Sequence, residues 1–451
     1  MLRGILARYV KVGRLVIRGL GARDLVLGCV DPARSRLDIA VRVGGWWTMW
    51  KMALNPDLYV GEAFMDGALV IEQGTLRDFL ELCFLNLRGV APVARPRRLT
   101  RIVHWGLNVL QQRNSRRAAR RNVAHHYDLS DDLYGQFLDR DRQYSCAYFA
   151  APNASLEEAQ EAKKEHISAK LLLSPEQRVL DIGCGWGGLA LTLAHAGAGW
   201  VTGVTLSQEQ LSVARERAAK AGLDHRVRFD LRDYRDLTGS FERIVSVGMF
   251  EHVGIPNYQQ FFDTLARLLT EDGVALLHSI GRMDGPGSAN AWLHKYIFPG
   301  GYAPALSEVF PAIERAGLWV TDVEILRLHY AETLRHWQER FAQHRPAIER
   351  LYDAKFCRMW EFYLAACEMG FRYDGFMVFQ IQLAKRVDTV PITRDYIASV
   401  SGTLGPRVCN DQEAASWIRD HKEEPVRFRN PLNGSAQNDH VSGEINSAAD
   451  Q

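Results

Sequence analysis

The residues best suited to chemistry surround a glycine-rich turn. Val179-Leu180-Asp181-Ile182-Gly183-Cys184-Gly185-Trp186-Gly187-Gly188 reads as a buried strand, a turn and the start of a helix. Gly183 and Gly185 put no Cβ in the way of a ligand that approaches the backbone. The same Gly-x-Gly spacing opens dinucleotide sites, and the third glycine of that pattern is present as Gly188. A dinucleotide site also wants an acid at the end of the second strand to hold the ribose hydroxyls. That strand ends Gly203-Val204-Thr205-Leu206-Ser207, with no acid, so Thr205 and Gln210 have to serve instead.

The remaining reactive side chains are scattered. Cys29, Cys83, Cys146, Cys184, Cys357, Cys367 and Cys409 form no Cys-x-x-Cys pair. A disulfide framework is not expected, and a reducing cytosol fits better. His125 and His126 are adjacent, there is no His-Glu-x-x-His, and no metal site is expected.

The elements that must position these groups divide the chain. At 451 residues it is too long for one ordinary core, so two domains and a tail are expected. Between about 178 and 386, RVLDIG, WVTGVTL, RVRFDL, ERIVSVG, GVALLHSI and VTDVEIL are strand candidates alternating with helices. SQEQLSVARERAAKAG is a helix with Ser207 as its N-cap. This pattern predicts a doubly wound α/β fold.

Residues 1–85 read as a smaller α+β domain. LVIRG and LDIAVRV are strands there, and the stretch from Trp46 to Leu85 is helices joined by turns at Asn55-Pro56 and Asp66-Gly67. Trp46, Trp47 and Trp50 are expected in a small aromatic core, with a lipid-facing patch as the alternative. Residues 86–121 form a basic linker, 122–422 the catalytic domain, and 423–451 a disordered tail. From Cys83 to Tyr127 there is no acidic residue, while ten arginines fall between Arg88 and Arg121. Such a stretch suits a solvated linker or an anionic phospholipid surface. Nucleic acid is not expected, since no binding motif accompanies the charge. The first residues mix arginine and glycine through the apolar positions, so neither a signal peptide nor a transmembrane helix is expected.

DIGCGWGG followed by GVTLSQEQ resembles the adenosylmethionine site of the class I methyltransferase fold. The segments HHYDLSDDLYGQFLDRDRQYSCAYF, SVGMFEHVG, LLHSIG, YIFPGGYAP, LHYAETLRHW and YLAACEMGFR resemble those of cyclopropane-fatty-acyl-phospholipid synthases and the related mycolic-acid cyclopropane synthases. The resemblance covers residues 122 to about 390, and the N-terminal domain resembles the phospholipid-acting branch more weakly.

The resemblance implies S-adenosylmethionine as co-substrate. Tyr144, Ser145, Val179, Asp181, Gly183, Cys184, Gly185, Trp186 and Gly187 would wrap its methionine and ribose part. Thr205, Leu206 and Gln210 would meet the ribose, and Asp233, Tyr234 and Arg235 the adenine. It also implies a bound bicarbonate ion caged by Cys146, Glu251, His278, Ile280 and Tyr330. Cys146 and Ile280 would act through backbone groups, and His278 and Tyr330 would donate hydrogen bonds. Glu251 would share a proton with the anion or with His278, because two negative groups repel in a low-dielectric site. Cys367 matches a family cysteine and is given a weaker, tunnel-lining role.

The implied reaction transfers a methylene group to the double bond of an unsaturated phospholipid acyl chain. The implied setting is cytoplasmic, at the inner face of the cell membrane, with a homodimer as the implied assembly. An alternative is a C-methyltransferase making methyl- or methylene-branched chains, or a non-catalytic lipid-binding relative.

Overall fold

The computed structural model describes residues 10–31, 35–87 and 131–401. The arginines from 88 to 121 and the 423–451 tail lie outside the described residues. The N-terminal part contains β1 (Arg14–Arg18), β2 (Leu25–Gly28), β3 (Asp38–Val43) and β4 (Leu69–Gln73) in a sheet of order β2-β1-β3-β4. Helices α1 (Trp46–Leu54), α2 (Pro56–Met65) and α3 (Leu76–Leu87) accompany it. Leu15 and Ile17 alternate toward the core with Ile39, Val41 and Val43 of the neighbouring strand, and Phe79 and Leu82 of α3 join the same buried cluster.

Two expectations fail here. The segment after the Asp66-Gly67 turn is a strand, β4, because Val70 and Ile71 are β-branched and pair with Arg42 and Val41. The tryptophans are not core: Trp46, Trp47 and Trp50 are 50%, 72% and 50% exposed, and Leu54 is 78% exposed. Met49 is the residue that α1 buries.

The larger sheet holds β5 (Arg178–Ile182), β6 (Trp200–Thr205), β7 (Val227–Leu231), β8 (Phe241–Val247), β9 (Leu269–Arg282), β10 (Trp319–Leu326) and β11 (Phe376–Ala384). Its order is β10-β11-β9-β8-β5-β6-β7. β9, β8, β5, β6 and β7 are mutually parallel, and β11 is antiparallel to both its neighbours. This is the doubly wound architecture expected. The helices are α4 (Asp131–Phe137), α5 (Leu156–Leu171), α6 (Gly188–His195), α7 (Gln208–Lys220), α8 (Tyr258–Leu268), α9 (Ala291–Tyr296), α10 (Leu306–Arg315), α11 (His329–Leu351), α12 (Ala354–Tyr373) and α13 (Asp395–Ser401). Ser207 caps α7 as expected, its Oγ accepting from Gln210 N–H at 3.3 Å.

The core of the small sheet runs on into α9, α11 and α12, and reaches the large sheet at Leu326 and Val378, while most of the large sheet packs in two further clusters. A Cβ at Gly61 of α2 would lie 2.6 Å from the Trp292 ring, so only glycine permits this approach. Arg77 of α3 reaches the fully buried Glu368 of α12 at 3.0 Å. Glu368 also accepts from Arg372 and Gln338, which satisfies a carboxylate that would otherwise be costly to bury. Chain order places the switch point of the large sheet at β5, which has β6 on one side and β8 on the other. Ligands of such sheets bind beyond the carboxyl ends of these strands.

Candidate active site

A cavity lies at that switch point. Tyr144, Ser145, Asp181, Gly183, Cys184, Gly185, Trp186, Thr205, Leu206, Gln210, Asp233, Tyr234 and Arg235 line it. Two of the expected residues do not. Val179 is fully buried inside β5. Gly187 faces the core, where a Cβ would meet Phe229 at 2.7 Å.

The two glycines of the turn do different jobs. Both have positive φ, 82° at Gly183 and 53° at Gly185. A Cβ on Gly183 would meet Met249 at 2.9 Å, so this glycine lets the loop after β8 close down. A Cβ on Gly185 would meet nothing within 4 Å. Gly185 is therefore the residue that keeps the cavity open to a ligand.

Asp181, next to last in β5, is 1% exposed, and neither of its carboxylate oxygens has a hydrogen-bond partner among the described residues. Burial raises its carboxyl to about 7, against the opposing charge of Lys163. An orphaned carboxylate on a cavity wall fits a cationic ligand group, such as the ammonium of S-adenosylmethionine. Thr205 Oγ1 donates to Gln210 Oε1 at 2.9 Å, and Ser207 N–H donates to Thr205 Oγ1 at 3.1 Å. The Gln210 carbonyl is thereby held back, and its amide NH2 is the group left for a ribose hydroxyl. Asp233 grips Arg235 through two contacts, at 2.9 and 2.6 Å, which fixes the loop after β7.

Sequence reasoning missed Lys163. It is fully buried and donates to Gln143 Oε1 at 2.5 Å and Ser145 Oγ at 2.9 Å. It thus anchors the cavity wall from Gln143 to Ser145. Burial lowers its ammonium to about 8, against Asp139 and Asp141. Met249 and His252 also line the cavity and were not singled out; the SVGMFEHVG segment that carries them was the available signal. Burial lowers His252 to about 4, so it is neutral at physiological pH.

Of the expected anion cage, Glu251 and Ile280 touch directly. Ile280 N–H donates to Glu251 Oε1 at 2.7 Å. The Ile280 amide is thus committed to Glu251. Glu251 Oε2 is shielded from solvent and has no hydrogen-bond partner among the described residues. Burial raises this carboxyl to about 7. His278 lies two residues before Ile280 on β9, on the same side of the strand, and is 2% exposed. Burial lowers its imidazole to about 3. Cys146 and Tyr330 are buried in one cluster, with Ile280 and Cys367 packed against it. Burial keeps both thiols protonated, that of Cys367 at about 12, so neither is a ready nucleophile.

The same cluster is rich in aromatic rings. Tyr330 lies 5.8 Å from Trp337 and 4.8 Å from Phe371, and Tyr144 lies 5.2 Å from Trp337. Tyr363, not singled out although the YLAACEMGFR segment begins with it, pairs with Tyr144 through their hydroxyls at 2.9 Å. Such faces stabilise a developing cation without capturing it.

Comparison with known proteins places this geometry in context. The mycolic acid cyclopropane synthetase family matches residues 114–381. The chain is 38% identical to tuberculostearic acid methyltransferase of Mycobacterium tuberculosis, over 72% of this chain and 78% of that one. It is 43% identical to cyclopropane-fatty-acyl-phospholipid synthase of Escherichia coli K12, over 58% of this chain and 67% of that one. A crystal structure of a mycolic acid cyclopropane synthase complexed with SAH and CTAB is 34% identical, with a TM-score of 0.56, covering 58% of this chain and 97% of that one.

Proposed function

Because the chain belongs to the mycolic acid cyclopropane synthetase family, we propose that it transfers a methylene group from S-adenosylmethionine to the double bond of an unsaturated phospholipid acyl chain. The observation that carries this reading is the position of Tyr144. It lines the Asp181 cavity, which suits the co-substrate, and its ring packs on Trp337, which packs on Tyr330, so an aromatic cluster adjoins that cavity. Among the described residues of that cluster, the buried thiols of Cys146 and Cys367 are held protonated.

The alkene π pair attacks the sulfonium methyl, the sulfur–carbon bond breaks, and S-adenosylhomocysteine leaves. A carbocation remains on the chain, against the rings of Tyr144, Tyr330 and Trp337. Loss of a proton from the transferred methyl lets the ring close. The orphaned Oε2 of Glu251 suits a small oxyanion, with His278 two residues before Ile280 on the same side of β9. A bicarbonate ion held there would supply the base for that proton. With its carboxyl at about 7, Glu251 can carry the proton that lets it donate to such an anion.

The tryptophan face of α1 supports contact with a membrane. Lys51 lies 5.6 Å from the Trp47 ring and 5.8 Å from that of Tyr59, so apolar, aromatic and cationic groups share one exposed helix. That mixture suits a lipid–water interface. Among the described residues, no helix is long and apolar enough to cross a membrane. The arginines of 88–121 favour an anionic surface, such as the inner face of a cell membrane.

A second reading, methyl or methylene branching of the same olefin, is favoured by the likeness to the tuberculostearic acid methyltransferase. It differs only in the fate of the cation. The test of the shared chemistry uses purified protein, methyl-labelled S-adenosylmethionine and phospholipid vesicles. Label should enter unsaturated lipid and leave fully saturated lipid unlabelled. Equal labelling of both would mean that the double bond is not the acceptor.

A further inference from the structure

His278 can offer its candidate anion either a proton or a lone pair, depending on which ring nitrogen is protonated. The structure restricts that choice. His278 on β9 is paired in register with Gln380 on β11. Gln380 is fully buried, and its Nε2 lies 3.1 Å from His278 Nδ1. At the other end of the amide, Gln380 Oε1 lies 2.8 Å from Nζ of Lys170 on α5. Lys170 is fully buried, in contact with Glu324 and 3.6 Å from Asp322.

An ammonium has three donors and no acceptor. The Gln380 atom facing Lys170 is therefore its oxygen, and the NH2 group faces His278. An NH2 group only donates here, so Nδ1 must accept and carries no proton. The single proton of the neutral ring then sits on Nε2.

We propose that Lys170 and Gln380 are positioning residues that lock His278 in the Nε2–H tautomer, so that its free edge presents a hydrogen-bond donor and never a base. The inference rests on the reading of His278 as part of the anion cage. It assigns the proton-accepting step to another group and leaves His278 to hold that group.

The arrangement differs from a carboxylate behind a histidine. A carboxylate would accept from Nδ1–H and stabilise the imidazolium. Here a neutral amide donor stands in that place. Burial is the first cause that keeps the ring uncharged; Lys163, Lys170 and His166 on the surrounding elements act in the same direction, and Glu324 opposes. The ring is oriented by one side chain. The alternative is plain satisfaction of two buried polar groups, in which either tautomer would serve.

The experiment uses the full chain with 15N-labelled histidine. Two-bond proton–nitrogen correlation spectra read the tautomer, and the His278 signals are those missing from His278→Gln. In the wild type, without bicarbonate, Nε2 should be protonated and Nδ1 bare. Gln380→Glu keeps the shape and still accepts from Lys170, but it turns the donor facing Nδ1 into an acceptor. It should move the proton to Nδ1. Turnover should fall at least about tenfold while affinity for S-adenosylmethionine stays within about twofold. Gln380→Met, which offers Nδ1 no donor, should populate both tautomers and lose less activity. A wild-type Nδ1–H, or a tautomer unmoved in Gln380→Glu, overturns the lock. Because the spectra are taken without bicarbonate, a wrong anion assignment cannot disturb them. That error would appear instead as an inverted tautomer with unchanged turnover, which overturns the functional role given to His278.

Discussion

Ile280 donates its backbone N–H to Oε1 of Glu251 at 2.7 Å, and the second oxygen of the same carboxyl group has no hydrogen-bond partner among the described residues. One oxygen is held by β9 and the other is buried without a donor. Glu251→Gln keeps the first bond and removes the titratable second position. It should cut turnover by about 100-fold, the lower range for losing acid–base help. Affinity for S-adenosylmethionine, measured by calorimetry, should stay within about twofold. Removing bicarbonate from degassed buffer should slow the wild type and matter less to the variant. A wild-type rate indifferent to bicarbonate would reject the anion assignment.

Stability should depend on pH through the same carboxyl group and through Asp181. Burial raises Glu251 from 4.5 and Asp181 from 3.8, both to about 7. The folded protein therefore holds these protons more tightly than the unfolded chain. Their stabilising contribution is complete below the unfolded values and is lost as pH rises through the folded ones. Melting temperature without ligand should fall between about pH 4 and about pH 7. Glu251→Gln and Asp181→Asn, neutral throughout, should each flatten that fall. Variants whose melting curves run parallel to the wild type across this range would show that neither group is protonated in the fold.

Gly185→Val tests the turn. Gly185 is on the cavity wall, at a positive φ that a branched side chain disfavours, with no described atom within 4 Å of an added Cβ. Overpacking costs about 1–3 kcal/mol, so affinity for S-adenosylmethionine should fall by about 10- to 100-fold. Calorimetry on a variant with native circular dichroism is the check. Unchanged affinity would mean that the ligand does not pass this turn.

Trp47→Gln with Trp50→Gln tests the exposed face of α1. Losing two interfacial side chains should weaken vesicle binding by about tenfold or more. Activity on vesicles should drop with it, while activity on a short, detergent-dispersed lipid should fall much less. Replacing Arg116, Arg117, Arg120 and Arg121 with Gln should weaken binding to anionic vesicles selectively, and added salt should erase that difference. Vesicle binding untouched by both sets would remove the case for membrane docking through these groups.

The large sheet was legible because strands such as that containing Val274-Ala275-Leu276-Leu277 carry unbroken apolar runs. β11 escaped because Gln380 and Gln382 interrupt its apolar pattern. Both are buried, and their polarity serves Lys170 and its neighbours on α5. The cofactor cavity was legible because glycine spacing is local. Lys163 and Lys170 were not, since a helical lysine has no sequence feature that marks it as buried beside a site. The tryptophans of α1 misled for the opposite reason: aromatic clusters usually pack inward, and only the position of Met49 sets which face of that helix is buried.

The most direct measurement of the proposed chemistry is nuclear magnetic resonance of lipid recovered after incubation with methyl-13C S-adenosylmethionine. The vesicles should carry one defined unsaturated acyl chain, with bicarbonate present. Methylene transfer across the olefin places the label in a ring CH2, with strongly upfield proton signals, and consumes the double bond. Label found in a branch methyl, in an exocyclic methylene or in the headgroup would contradict it.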